Sequence, residues 1–214
     1  MNFPDVPPTL EGISGLINLL RGPNGCPWDR KQTADSLTGH LIEECYELVE
    51  AIEKKDYKNI NEEIGDVILN VVYQIIFLKE VMDIDEQSII KDLYAKIKIR
   101  HPHVFSDINL KNAEEVEQNW EKIKDDSNGN LVNDNKDIPK YLPSLSLALK
   151  LQKKTPPKDI NQSYNLIDKL LSNKHKLNSE SIGKLLFEIV NVARIQDIDP
   201  EKSLRKHNNH INKN

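Results

Sequence analysis

The sequence predicts an all-α protein built as a helical bundle. Three observations carry this reading. Apolar residues recur three and four apart along most of the chain. Alternating β-branched runs bounded by turns are nearly absent. The longest apolar stretch, Val67 to Leu78, is broken by Asn70 and Gln74, which marks a buried core helix rather than a membrane span.

The elements follow in order. Residues 1–8 are rich in Pro and read as extended chain. Leu10 to Leu20 is an amphipathic helix with Leu16, Ile17, Leu19 and Leu20 on its apolar side. Arg21 to Trp28 (RGPNGCPW) is turn chemistry throughout. Asp29-x-x-Gln32 fits a capping box for the next helix, which runs from Ser36 to Lys54. Lys55 to Asn59 is a polar turn, and a third helix spans Ile60 to Val81. A fourth runs from Asp85 to Ile99, with Ile89, Leu93 and Ile97 four apart. His101-Pro102-His103 ends it, because the residue before Pro is driven out of the α region. Glu114 to Lys124 is a short acidic helix containing Trp120. Asp125 to Lys136 is polar and Asn-rich and reads as a linker. Helices are expected again over 142–151, 164–171 and 182–194, and the polar tail from Leu204 onward is expected to fray. The expected division is a first domain at 1–125, a linker at 126–140 and a shorter second domain at 141–214.

The chain has 214 residues, enough for one large domain or two small ones. The formal net charge of -5 argues against nucleic-acid binding as the main role. Cys26 and Cys45 form neither a C-x-x-C pair nor a zinc pattern, and the N-terminus lacks a signal-peptide pattern. Together these point to a reducing, cytoplasmic setting with no membrane partner.

Five acidic residues in two helix-spaced sets stand out: Glu43-Glu44-x-x-Glu47 and Glu63-x-x-Asp66. Residues three and four apart share a helix face. Leu41, Ile42, Leu48, Val49 and Ile52 surround the first set, and Ile64, Val67, Ile68 and Val71 the second. Packing the two helices through these residues brings at least four carboxylates into one small volume. Such a set raises its own pKa values unless a cation neutralises it. Oxygen-only ligands favour a hard cation such as Mg²⁺, with Mn²⁺ not distinguished from it. The bland alternative is a solvated Glu-rich face, as most such runs are.

GCPWD (25–29) with Gln32-Thr33, LIEECYELVEAI (41–52), EEIGDVILNVV (62–72) and RHPHVF (100–105) together resemble the MazG family, over about residues 10–125. The resemblance implies an all-α nucleoside triphosphate pyrophosphohydrolase that releases the monophosphate and pyrophosphate. It implies Glu44, Glu47, Glu63 and Asp66 as the Mg²⁺ ligands. Glu47 is the first candidate to orient the attacking water, and Glu43 the second. Lys96 and Arg100, ahead of His101, resemble the family's K-x-x-x-R and suit phosphate. Ile99 stands where the family often has a second Arg. Trp28 either stacks on a nucleobase or anchors its loop to the core. Lys31 is a weaker substrate-binding candidate, and Asp29 reads as a helix cap. His101 and His103 suit phosphate contact or a structural role equally. A homodimer completes the bundle, as MazG-like domains do.

Residues 141–214 resemble a shortened second MazG copy. The second motif's acids read Ser181 and Lys184 here, and the first motif falls loosely on Asn165, Leu166 and Lys169. A Lys at a metal position repels the ion, so this half is expected to survive as packing or dimer surface. Its stripe of Ile182, Leu185, Leu186, Ile189 and Val190 still asks for a partner. The alternatives are a hydrolase of a non-standard dNTP or ppGpp, and a non-catalytic nucleotide- or metal-binding module.

Overall fold

The structure, a computed structural model, describes residues 6–130, 141–155, 158–172 and 177–211. Every regular element among them is helical. The chain divides into two compact units, Met1–Ile123 and Lys124–Asn214.

The first unit contains α1 (Leu10–Arg21), a single 3-10 turn (Asp29–Lys31), α2 (Thr38–Lys54), α3 (Tyr57–Met82), α4 (Glu86–Arg100), α5 (Pro102–Phe105) and most of α6 (Ala113–Asn130). The Thr9 hydroxyl accepts from Gly12 N at 3.0 Å and starts α1. Gly12 must be glycine, because a Cβ there would lie 1.7 Å from the Pro7 carbonyl oxygen. Lys55, in the left-handed region at φ 58°, ends α2, and Asp56 caps α3 through Asn59 N. Two residues therefore join α2 to α3, which forces an antiparallel pair. The core forms where α1 and Leu37, just ahead of α2, meet the second half of α3. It consists of Ile17, Leu37, Val72, Tyr73, Ile76 and Phe77, with Ile13 and Ile68 packed against it. Ile17 is 1 % exposed, and its burial contributes about 1.5–3 kcal/mol.

Several boundaries differ from the sequence expectation. No side chain caps α2 at Leu37, so Asp29-x-x-Gln32 is not its capping box. Asp29 instead turns inward, as described below. α3 begins three residues early because Asp56, not a later residue, supplies its cap. His101 ends α4 as expected, but Pro102 then opens the short α5. α6 continues to Asn130, into the segment read as a linker, whose remainder at 131–140 lies outside the described residues. No side chain of α4 is buried, and Ile90, Leu93, Tyr94, Ile97 and Ile99 all face solvent in the single chain.

The second unit contains α7 (Ser144–Lys154), α8 (Ile160–Ser172), α9 (Ser179–Ile195) and α10 (Pro200–Ile211). α9 packs on α7 and α8, and α10 packs on α7 and α9. The tail expected to fray is helical to Ile211, because Asp199 accepts from Lys202 N at 2.9 Å and buried Pro200 occupies the first helical position. Of the α9 stripe, Val190 is fully buried, while Ile182, Leu186 and Ile189 stay exposed. Beneath it runs a polar network. Lys158 Nζ meets Glu188 Oε1 at 2.5 Å, Ser163 Oγ donates to Glu188 Oε2 at 2.7 Å, and Asn191 Nδ2 donates to Ser163 Oγ at 2.8 Å. Ser163, Glu188 and Asn191 are all buried, so each hydrogen bond here satisfies a group that water cannot reach.

Replacing Ile17 with Ala removes a fully buried side chain from the first unit. The expected cost is about 2–5 kcal/mol in urea unfolding of that unit, and a loss under about 1 kcal/mol would place the core elsewhere.

Candidate metal centre and its adjoining loop

The antiparallel hairpin sets which acids meet. With its turn at Lys55 and Asp56, Glu44 lies level with Asp66, and Glu47 level with Glu63. One carboxylate oxygen each from Glu44, Glu63 and Asp66 falls within 4.8 Å of the others, and all three residues are half-buried. Glu47 and Glu43 are exposed and stand outside this three-oxygen group. Glu47 is nonetheless close enough for its charge to act on both Glu44 and Glu63.

The electrostatics follow. Desolvation raises the Glu44 carboxyl above its ordinary range, and repulsion from Asp66, Glu47 and Glu43 adds to it. Desolvation likewise raises Glu63, with Glu47, Glu44 and Asp66 adding repulsion. His40 opposes the shift at Glu44, and its Nδ1 lies 3.9 Å from Glu43 Oε2. Three converging carboxylate oxygens, with the Glu44 and Glu63 carboxyls raised, form a donor set that fits a hard divalent cation.

The loop between α1 and α2 is built by polar contacts. Cys26 N donates to Leu20 O at 2.7 Å, and a Cβ on Gly25 would lie 2.1 Å from that same carbonyl oxygen. Arg21 Nη1 donates to Asp29 O at 3.3 Å and to Gln32 O at 3.0 Å. Its Nη2 contacts Glu80 Oε1 and Oε2 at 2.9 and 3.0 Å, and its guanidinium lies 4.5 Å over the Phe77 ring. That cation–π contact contributes about 0.5–2 kcal/mol. Asp29 is 9 % exposed, and its carboxylate accepts the Tyr73 hydroxyl. Burial first, and the Asp29 bond second, push the Tyr73 phenol far above its ordinary pKa, so it remains a donor. Asp29 is therefore an interior anchor rather than a helix cap. Trp28, by contrast, is 54 % exposed and meets His40 edge-on at 6.2 Å. The loop is anchored through Asp29, which leaves the Trp28 ring open to solvent.

Lys31 is exposed at the end of the 3-10 turn. Lys96 and Arg100 lie four apart on α4. Among the described residues no ion pair or hydrogen bond joins Lys31, Lys96 or Arg100 to the acidic group. His101 Nδ1 lies 2.7 Å from Ile97 O, and its ring packs near His103 and Trp120, each at 5.7 Å. Cys26 and Cys45 are both free thiols. In the second unit Ser181 forms a capping box with Asn178, and Lys184 Nζ pairs with Glu180 at 2.6 Å. The Lys184 hydrogen bond and charge lower the Glu180 pKa. Among the described residues only Glu44, Glu63 and Asp66 form a metal-sized group.

A family model, the MazG nucleotide pyrophosphohydrolase domain, matches residues 32–105. The chain is 37 % identical over 207 residues to a Thermotoga maritima protein named nucleoside triphosphate pyrophosphohydrolase/pyrophosphatase MazG, covering 92 % of this chain and 80 % of that one. The chain belongs to the MazG family. It is also 38 % identical over 208 residues to the uncharacterized protein YabN of Bacillus subtilis, covering 88 % of this chain but only 42 % of that relative's length. A mazG-related protein from Thermotoga maritima, known from a crystal structure, is 32 % identical, with 54 % of this chain and 98 % of that one aligned at a TM-score of 0.46. The matched MazG segment holds all five acids together with Lys96 and Arg100, whereas Trp28, Asp29 and Lys31 precede it.

Sequence reasoning missed Arg21, Asn70, Tyr73 and Glu80. A signal for three of them was present. Asn70, Tyr73 and Glu80 continue the helix face of Glu63 and Asp66, at steps of three, four and seven. Asn70 is buried and donates from Nδ2 to Asp66 O at 3.0 Å, which ties it to the turn that carries the acid.

The raised carboxyls fix the sign of a pH effect. A fold that holds Glu44 and Glu63 with raised pKa values binds more protons than the unfolded chain, so stability falls as pH rises above the ordinary Glu value of 4.5. In EDTA, Glu63→Gln should raise the Tm at neutral pH and flatten its decline between pH 4.5 and the raised values. Adding a divalent cation should raise the Tm of the wild type and not of Asp66→Asn. A Tm indifferent to both changes would remove the electrostatic basis of the site.

Proposed function

We propose that this MazG protein hydrolyses nucleoside triphosphates, NTP or dNTP, to the monophosphate and pyrophosphate with Mg²⁺ as its cation. The observation that supports the reading most is the convergence of Glu44, Glu63 and Asp66 oxygens within 4.8 Å. Glu44, Glu47, Glu63 and Asp66 are the residues that would hold the cation. A bound divalent cation supplies charge neutralisation of the triphosphate and polarises the α-phosphate. Glu47, and after it Glu43, orients and deprotonates the attacking water. Lys96 and Arg100 take the phosphates, Arg100 through its planar fork, and Lys31 adds a cation from the loop. The leaving pyrophosphate keeps its charge partnered by these groups. Trp28 offers an open aromatic face for the nucleobase, and stacking carries little base preference.

The apolar face of α4 supports a homodimer, since Ile90, Leu93 and Ile97 stay exposed among the described residues. The second unit is read as a degenerate MazG copy. Its Ser181 and Lys184 are occupied by a cap and an ion pair in place of metal ligation. The free thiols accord with a cytoplasmic protein.

The deciding experiment follows nucleotide products with Mg²⁺ and with EDTA. Metal-dependent release of monophosphate and pyrophosphate in equal amounts is the expected result. Orthophosphate as the product, or no turnover by folded protein, would sink the reading. Glu44→Ala or Asp66→Ala should lower kcat on the order of 100-fold or more while the helices remain folded by circular dichroism. Lys184→Ala should leave turnover within about twofold, and a large loss would bring the second unit into the site.

A further inference from the structure

We propose that Tyr73, Asp29 and Arg21 are positioning residues, holding the Trp28 loop in register with the carboxylate group through one shared stripe of α3. The proposal rests on the reading of Trp28 as the nucleobase contact.

The stripe is Glu63, Asp66, Asn70, Tyr73, Phe77 and Glu80. Steps of three and four keep these six side chains on one side of a helix. The first two belong to the acidic group. The last three grip the loop: Tyr73 through Asp29, Phe77 under the Arg21 guanidinium, and Glu80 through Arg21 Nη2. Asn70 sits between the two ends with its amide on Asp66 O. Asp66 and Tyr73 are seven residues apart, about 10 Å along the axis. That is the scale separating a nucleobase from the phosphates attached to its sugar. One rigid helix thus sets both ends of a nucleotide-sized span.

The loop contacts are directed at its backbone and at Asp29, and they leave the Trp28 ring exposed beside His40. Arg21 holds the carbonyls of Asp29 and Gln32, the two residues that bracket the 3-10 turn. Gln32 Nε2 donates to Trp28 O at 3.0 Å, and Gln74 Nε2, also on α3, donates to Ala34 O at 3.2 Å. The Asp29 carboxylate is buried, and the Tyr73 hydroxyl is its side-chain donor. A Phe at position 73 keeps the ring but leaves that carboxylate without its donor. A buried carboxylate in that state turns out toward water. Trp28, its neighbour in the chain, moves with it.

The test uses the full chain with Trp120→Phe, which leaves Trp28 as the one tryptophan of the two. Three quantities are read for Tyr73→Phe: acrylamide quenching of Trp28, KM and kcat for ATP, and Mn²⁺ affinity by electron paramagnetic resonance. The expected result is stronger quenching, a KM raised about tenfold, kcat within about threefold, and unchanged Mn²⁺ affinity. Asp29→Asn, which keeps an acceptor for the Tyr73 hydroxyl, should lie closer to wild type than Asp29→Ala. Arg21→Lys carries the same test from the other end of the clamp if Tyr73→Phe does not fold. Unchanged quenching and KM in folded Tyr73→Phe would overturn the clamp and leave the nucleobase reading standing. Stronger quenching with unchanged KM, in a protein whose Trp28 emission ignores saturating nucleotide, would overturn the nucleobase reading and the proposal with it. Loss of Mn²⁺ affinity would show a general disturbance of α3 and reject a positioning role.

Discussion

The antiparallel contact between α2 and α3 is the constraint on which the rest of the first unit depends. Two residues, Lys55 and Asp56, separate the helices, so their pairing register is fixed at the turn. That register sets Glu44 against Asp66 and Glu47 against Glu63. Desolvation raises the Glu44 and Glu63 carboxyls first, and repulsion from the neighbouring carboxylates adds to it. Apolar packing holds them together against it. A divalent cation would convert the same repulsion into attraction, so the folded helix pair forms a group that could hold a metal.

α3 extends this logic along its length. Its N-terminal half faces α2 and carries acids, and its C-terminal half faces α1 and carries Val72, Tyr73, Ile76 and Phe77 of the core. The polar clamp of Arg21, Asp29 and Glu80 lies at the edge of that core. The clamp bonds are of unequal worth. The Arg21–Glu80 pair involves a half-exposed Glu and is discounted by solvent. The Tyr73–Asp29 bond is buried, so its loss leaves a desolvated charge and costs more than the bond itself contributes. The Gly and Pro residues of the loop give it a shape that Cys26 N and Gly25 tie to the end of α1.

The second unit shows the same type of helix put to another use. On α9, Ser181 caps the helix and Lys184 neutralises Glu180. Its polar interior is instead a satisfied network around Glu188, in which Lys158 and Ser163 partner the carboxylate. A buried charge is tolerated there because each oxygen has a donor. In the first unit no ion pair or hydrogen bond among the described residues partners the carboxylates of Glu44, Glu63 and Asp66, which is why they suit an external cation.

The sequence by itself determined the all-α architecture and most of its helices, and it set the five acids in two helix-spaced groups. Periodicity and i, i+3 spacing are local properties, and a short turn leaves two amphipathic helices one way to pack. The same locality explains the errors. Asp29 looked like a cap because its neighbours in sequence allow one, but its partner Tyr73 is 44 residues away. Arg21 reads in the sequence as the start of a turn, and its role is set by Glu80, Phe77 and two loop carbonyls. The helix at 200–211 was missed because few of its residues are apolar, although Asp199 and Pro200 supply the start signal. The separation of Glu47 from the three converging oxygens was equally beyond the spacing rule, which places side chains on a face but not their carboxylates in a common volume. Tertiary structure alone decided which polar side chains are buried, and burial determines whether a charge becomes an anchor, a ligand or a solvated surface group.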